Sequence, residues 1–127
     1  MTAGFVPAPM KVSKVAAADL SAKQYYAVKL DSAGKVTTCT ATTDVPFGIL
    51  QNAPVTNEAA SIAPVNGGGS SYVYLSGTIA SAALVTIDAN GAASADAATN
   101  YNIGQIEAGG AVGELGVIRL GNITVKA

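Results

Sequence analysis

Short apolar runs, many of them alternating with polar positions, recur along the whole chain. They lie at Lys11–Val15, Tyr25–Leu30, Phe47–Leu50, Ala59–Ala63, Tyr72–Leu75, Leu84–Ile87 and Leu115–Leu120, with Gly, Asn, Asp and Pro between them. Many short runs rich in β-branched residues and separated by turn residues predict an all-β domain, a sandwich or barrel rather than βαβ units. Two Ala-rich pieces, Val15–Leu20 and Ser94–Ala98, have helical composition but are too short to hold a helix alone, and turns accommodate them easily. The expected architecture is a small β-barrel or β-tulip-like domain over residues 11–127, preceded by an extended arm at 1–10.

The pattern also repeats. Val28-Lys-Leu-Asp31-Ser-Ala-Gly34 resembles Val85-Thr-Ile-Asp88-Ala-Asn-Gly91 at an offset of 57. Phe47-Gly48-Ile49 resembles Ile103-Gly104-Gln105, and Glu58–Ile62 resembles Glu114–Ile118, both at an offset of 56. Three segments in the same order suggest a duplicated β unit with halves 11–65 and 72–127, although chance matches are common in so Ala- and Gly-rich a chain. In each half an Asp-x-x-Gly element reads as a turn, at Asp31/Gly34 and Asp88/Gly91, because Asp bonds its own following backbone and Gly supplies a positive φ. Gly48 and Gly104 interrupt strand-like runs, which marks a bulge, a bend or a close backbone approach. A shared bend or bulge where strands cross in a small barrel is the expectation for both. Asn66-Gly-Gly-Gly-Ser-Ser71 reads as a flexible connection.

Composition narrows the chemistry. Half of the 127 residues are apolar, only 12% are charged, 6% are aromatic, and Trp and His are absent. Seven basic against eight acidic residues leave a formal net charge of −1, which gives no electrostatic footprint for nucleic acid or an anionic membrane. Without His, the usual base for a Ser or Cys nucleophile and the commonest transition-metal ligand are both missing. The Gly-rich loop lacks the Lys of a phosphate-binding P-loop after Gly69. Asp31 and Asp88 have turn roles, which weakens any paired-carboxylate reading, and no clustered acidic loop suggests calcium. Cys39, alone and beside Thr37, Thr38 and Thr40, reads as a small buried residue. The tyrosines, Tyr25, Tyr26, Tyr72, Tyr74 and Tyr101, have no interleaved basic residues and read as core-edge or interface packing rather than base stacking. The expectation is therefore no enzyme, no cofactor, no metal and no small-molecule substrate. The N-terminal segment does not read as a secretory signal, nor any run as a membrane span.

The arm is the one unusual feature. In Phe5-Val6-Pro7-Ala8-Pro9-Met10 the prolines remove donors and enforce extended geometry, so the segment suits neither a helix nor a central strand. One reading is a frayed terminus. The other places Phe5, Val6, Pro7, Pro9 and Met10 against a neighbouring subunit or partner, with backbone available for strand addition.

Ala18–Gly34, Thr43–Pro54, Ala83–Gly91, Ile103–Glu107 and Gly113-Glu114 together resemble the tailed-phage capsid cement, or head decoration, family, first catalogued as a domain of unknown function. The resemblance covers residues 10 to 120 and rests on structural glycines and turns. It implies a small β-rich virion protein, often a homotrimer, whose partner is the major capsid protein, located on the outer surface of the expanded head and reinforcing it against internal DNA pressure. Thr2–Met10 would match the arm that related proteins use at the capsid contact. The alternative is a carbohydrate- or surface-binding β module of a phage fibre or adhesin.

Overall fold

The computed structural model describes residues 10–42, 44–95 and 101–125. Its elements are all strands: β1 (Val12–Val15), β2 (Ala27–Leu30), β3 (Val36–Thr38), β4 (Gly48–Leu50), β5 (Ala59–Pro64), β6 (Ser70–Tyr74), β7 (Leu84–Ile87), β8 (Ala93–Ala95), β9 (Tyr101–Ala108) and β10 (Leu115–Val125). They form two five-stranded antiparallel sheets, ordered β1-β5-β4-β2-β3 and β6-β10-β9-β7-β8. Neither sheet closes into a barrel, which corrects the barrel expectation. A single parallel bridge in each, Ala16 to Val36 and Leu75 to Ala93, brings the outermost strands together at one point only. The Ala-rich pieces are not helical: Val15 ends β1, and Ser94 and Ala95 belong to β8, while Asp96–Ala98 lie outside the described residues.

The second sheet repeats the first strand for strand. Val28 pairs with Gly48 as Val85 pairs with Gly104, and Leu30 with Val36 as Ile87 with Ala93. The irregular backbone repeats too. Tyr25 and Ala82 both adopt a left-handed φ, of 70° and 71°, and their N–H groups donate to the Leu50 and Ile106 carbonyls at the same 2.7 Å. A non-glycine residue in that region costs about 1–2 kcal/mol, so the same strained turn entering β2 and β7 is a specific feature rather than a generic one.

Alternation divides the core in two. Facing inward on the first sheet, Val28, Val36, Leu50 and Ile62 join Ala16, Leu20 and Ala60 in one fully enclosed cluster. Side chains on its other face, Ala27, Ile49, Ala63 and Val65, join the inner residues of the second sheet, among them Leu75, Val85, Ile87, Ile106 and Ile118, in a larger cluster. The first sheet is thus buried on both faces, and its outer face seals the interior of the second. Burial of each Val, Leu or Ile side chain contributes about 1.5–3 kcal/mol, which makes this shared cluster the main tie between the sheets. Backbone bonds reinforce it, from Ala27 N–H to the Gly91 carbonyl at 2.8 Å and from Tyr74 N–H to the Tyr25 carbonyl at 3.0 Å.

Candidate functional site

The turn residues hold backbone. The Asp31 carboxylate accepts the N–H groups of Ala33 and Lys35, both at 2.9 Å, and Asp88 accepts those of Asn90 and Ala92 at 2.8 and 2.9 Å. Gly34 and Gly91 close those turns with φ of 78° and 84°. The other described carboxylates are also engaged. Glu58 and Glu114 accept the N–H groups of Val55 and Ala111, and Asp19 accepts that of Ser21. Asp44 pairs with Lys29 at 3.0 Å, and Glu107 with Arg119 at 3.1 Å. The Thr40 N–H, with the Lys29 ammonium and the Ala41 N–H, holds the Asp44 carboxyl below its ordinary pKa. Cys39 is fully buried, and burial, with the Asp44 charge beside it, pushes its thiol up to about 12. It packs beside Ala27 and is no nucleophile at neutral pH. Among the described residues no three of His, Cys, Asp and Glu converge in a metal-like group.

Gly48 and Gly104 differ in their local geometry. Gly48 pairs with Val28 on one side and Pro64 on the other with no register shift. A Cβ there would run into the Ala63 carbonyl and the Ile62 side chain. The requirement is close strand approach, and the ladder carries no bulge at this position. Gly104 has a φ of 152° and pairs with Leu120 beside a register shift in β10, so an irregular ladder and a close approach to the Arg119 carbonyl coincide at this position.

Of the arm residues, Phe5, Val6, Pro7 and Pro9 lie outside the described residues. Met10 is exposed at the start of the described chain, its sulfur over Gly67.

Four tyrosines meet at the seam between the sheets. Tyr25 and Tyr72 make an edge contact at 5.3 Å between centroids, and Tyr26 stacks on Tyr74 at 4.8 Å with the Lys23 ammonium 4.6 Å from the Tyr26 centroid. Desolvation, with Tyr74 alongside, raises the Tyr26 phenol pKa. Gln51 crosses the same seam to Ser71 Oγ at 2.8 Å. The sequence reading missed this pairing. Its only signal was the period-two spacing of Tyr72 and Tyr74, which puts both on one face of β6.

Among the described residues, a groove opens on each member of the repeat. The first, about 220 Å³, is lined by Leu30, Val45, Pro46 and Phe47, with the Lys14 ammonium 5.8 Å from the Phe47 centroid. The second, about 200 Å³, lies over Leu84, Gly104, Gln105, Arg119 and Gly121. Leu30, Val45 and Leu84 are exposed; the first groove is lined by apolar side chains, and the second adds Gln105 and Arg119 to Leu84.

No protein-family model matches the chain, and no curated protein does. Among solved structures the chain is similar to the head fiber gp8.5 N base in bacteriophage phi29, with a TM-score of 0.66 over 93% of this chain and 100% of that chain, at 15% identity. The likeness is one of fold. It spans both sheets, so the shared feature is the two-sheet architecture and not one isolated five-stranded unit.

Proposed function

We propose that this is a structural protein of a phage head, a decoration or cement module that binds the major capsid protein on the outer surface of the expanded shell. The observation that carries the reading is the fold likeness to a head fiber base across nearly the whole chain. Two further features support it. The acidic side chains of the described residues are engaged in turns and ion pairs rather than gathered in a cleft. The surface offers grooves at which Leu30, Val45 and Leu84 are exposed. A cement protein works by shape and apolar contact, and many equivalent sites on a symmetric shell multiply a modest affinity. Burial of apolar surface across capsomer junctions makes rupture costly, because rupture re-exposes that surface. No catalysis, cofactor, nucleic acid or membrane enters this mechanism. The carbohydrate-binding alternative is weaker, since Tyr26 and Tyr74 spend a ring face on each other and no Trp platform exists.

Co-sedimentation with undecorated expanded heads tests the reading. Saturable co-pelleting at micromolar protein is expected, and deletion of residues 2–10 should weaken it while leaving the circular dichroism spectrum unchanged. Protein that stays in the supernatant overturns the head role, and undiminished binding of the truncated chain overturns the role of the arm.

A further inference from the structure

The repeat makes a comparison possible within one molecule, because each position in the first sheet has a counterpart in the second. Ala27 pairs with Ile49 and Ile49 with Ala63; in the same places Leu84 pairs with Gln105 and Gln105 with Arg119. The first set is fully buried against the second sheet. Its counterpart is open: Leu84 is 40% exposed, and Gln105 and Arg119 are exposed.

The receiving surface shows the reverse. Ile87 and Ile103, which lie in the shared cluster sealed by the first sheet, are completely buried. Their counterparts are Leu30, which pairs with Val36 as Ile87 pairs with Ala93, and Phe47, which precedes Gly48 as Ile103 precedes Gly104. Leu30 is 40% exposed, and with Phe47 it lines the 220 Å³ groove. Among the described residues, one chain therefore contains a sheet-to-sheet contact made once, with a receiving surface that no described segment fills at one end and a docking surface that none covers at the other.

We propose that copies of this chain associate head to tail, the outer face of the second sheet of one copy docking into the Leu30–Phe47 groove of the next. The contact repeats the one made between the two sheets within a single chain. Leu84 occupies the place of Ala27 and meets the groove floor. Charge follows the same superposition. Glu107 follows Ile106 as Gln51 follows Leu50, and Gln51 bonds Ser71 across the seam. The counterpart of Ser71 is Val12, since Val12 pairs with Ile62 as Ser71 pairs with Ile118. Docking thus carries the Glu107 carboxylate, which within its own chain accepts from Ser70 Oγ and Arg119, toward β1, which bears Lys14 and is preceded by Lys11. Gln105 and Arg119 in place of Ile49 and Ala63 make the contact between copies wetter than the one within a chain, and hence reversible. Such a contact is heterologous: it closes into a ring if its rotation divides a full turn and otherwise extends as a filament.

Sedimentation velocity on the full chain, with Leu30→Asp and Leu84→Asp, tests this without phage heads, so its failure and that of the head role are distinguishable. Both side chains are partly exposed, and circular dichroism with thermal melting verifies that each variant folds. The wild-type chain should associate in the micromolar range, and each substitution should weaken association at least about tenfold. An equimolar mixture of the two variants should form a two-chain species that neither forms alone, because one intact groove and one intact docking face remain. A wild-type chain monomeric to about 100 micromolar, association unaffected by either substitution, or a mixture that yields no two-chain species overturns the proposal.

Discussion

At the scale of single residues, the structure separates positions that look alike in sequence. Gly48 and Gly104 both interrupt apolar runs, yet one sits in a regular ladder and the other beside a register shift. The distinction was not legible because it depends on which carbonyl lies across the strand, a tertiary fact. Substituting Gly48→Val forces a branched side chain against the Ala63 carbonyl. Overpacking of this kind costs about 1–3 kcal/mol or more, so urea denaturation should show a lowered midpoint with little change in slope. An unchanged midpoint would mean that β4 and β5 can separate without loss. Asp44 gives a pH-dependent counterpart. Its folded-state pKa lies below the ordinary value because the Thr40 and Ala41 N–H groups and Lys29 favour the carboxylate. The stability it contributes is complete above the unfolded-state pKa, about 4, and is lost as pH falls through the lower folded value. Asp44→Asn should be less stable than wild type at neutral pH, with the gap narrowing as the pH is lowered through that window. A gap constant with pH contradicts the assignment.

At the scale of elements, strand existence was legible where apolar runs were continuous, as for β7, which coincides with the run at Leu84–Ile87. β8 was not, because Ala93-Ser-Ala95 carries no strand-forming side chains and is held in place by pairing with β7. Two of the three segment pairs were legible because they carry the Asp-x-x-Gly turns and the strand glycines, positions that backbone geometry constrains strongly; the third matches through Glu58 and Glu114, which each accept a backbone N–H three residues earlier, and through the buried Ile62 and Ile118. What sequence could not give was the use of each copy. The β2–β3 turn leaves Gly34 with open space around it, whereas the β7–β8 turn sets Gly91 against the Ala27 carbonyl of the other sheet, where a Cβ would approach to 2.7 Å. Both glycines have positive φ, so alanine costs about 1 kcal/mol of backbone strain at either. Gly91→Ala should cost about 1–3 kcal/mol more than Gly34→Ala. Equal losses in thermal or chemical denaturation would contradict the packing of that turn on the first sheet.

At the scale of the whole molecule, the two sheets differ in burial more than in shape. The first is covered on both faces, the second on its inner face by the first. A barrel was expected because short strands with glycine breaks suit closure; instead each sheet curls until one bridge joins its edges, and the remaining apolar face is satisfied by the other copy of the repeat. That arrangement leaves a molecule whose described carboxylates serve turns and ion pairs and whose open surfaces are grooves. The proposed role on a phage head follows from this division together with the fold likeness. It is tested most directly by heating DNA-filled expanded heads, bare and saturated with the protein, while dye fluorescence reports DNA release. Decorated heads should release their DNA at a higher temperature, with a shift that grows with occupancy and then saturates; identical release temperatures at demonstrated saturation would contradict a cement function.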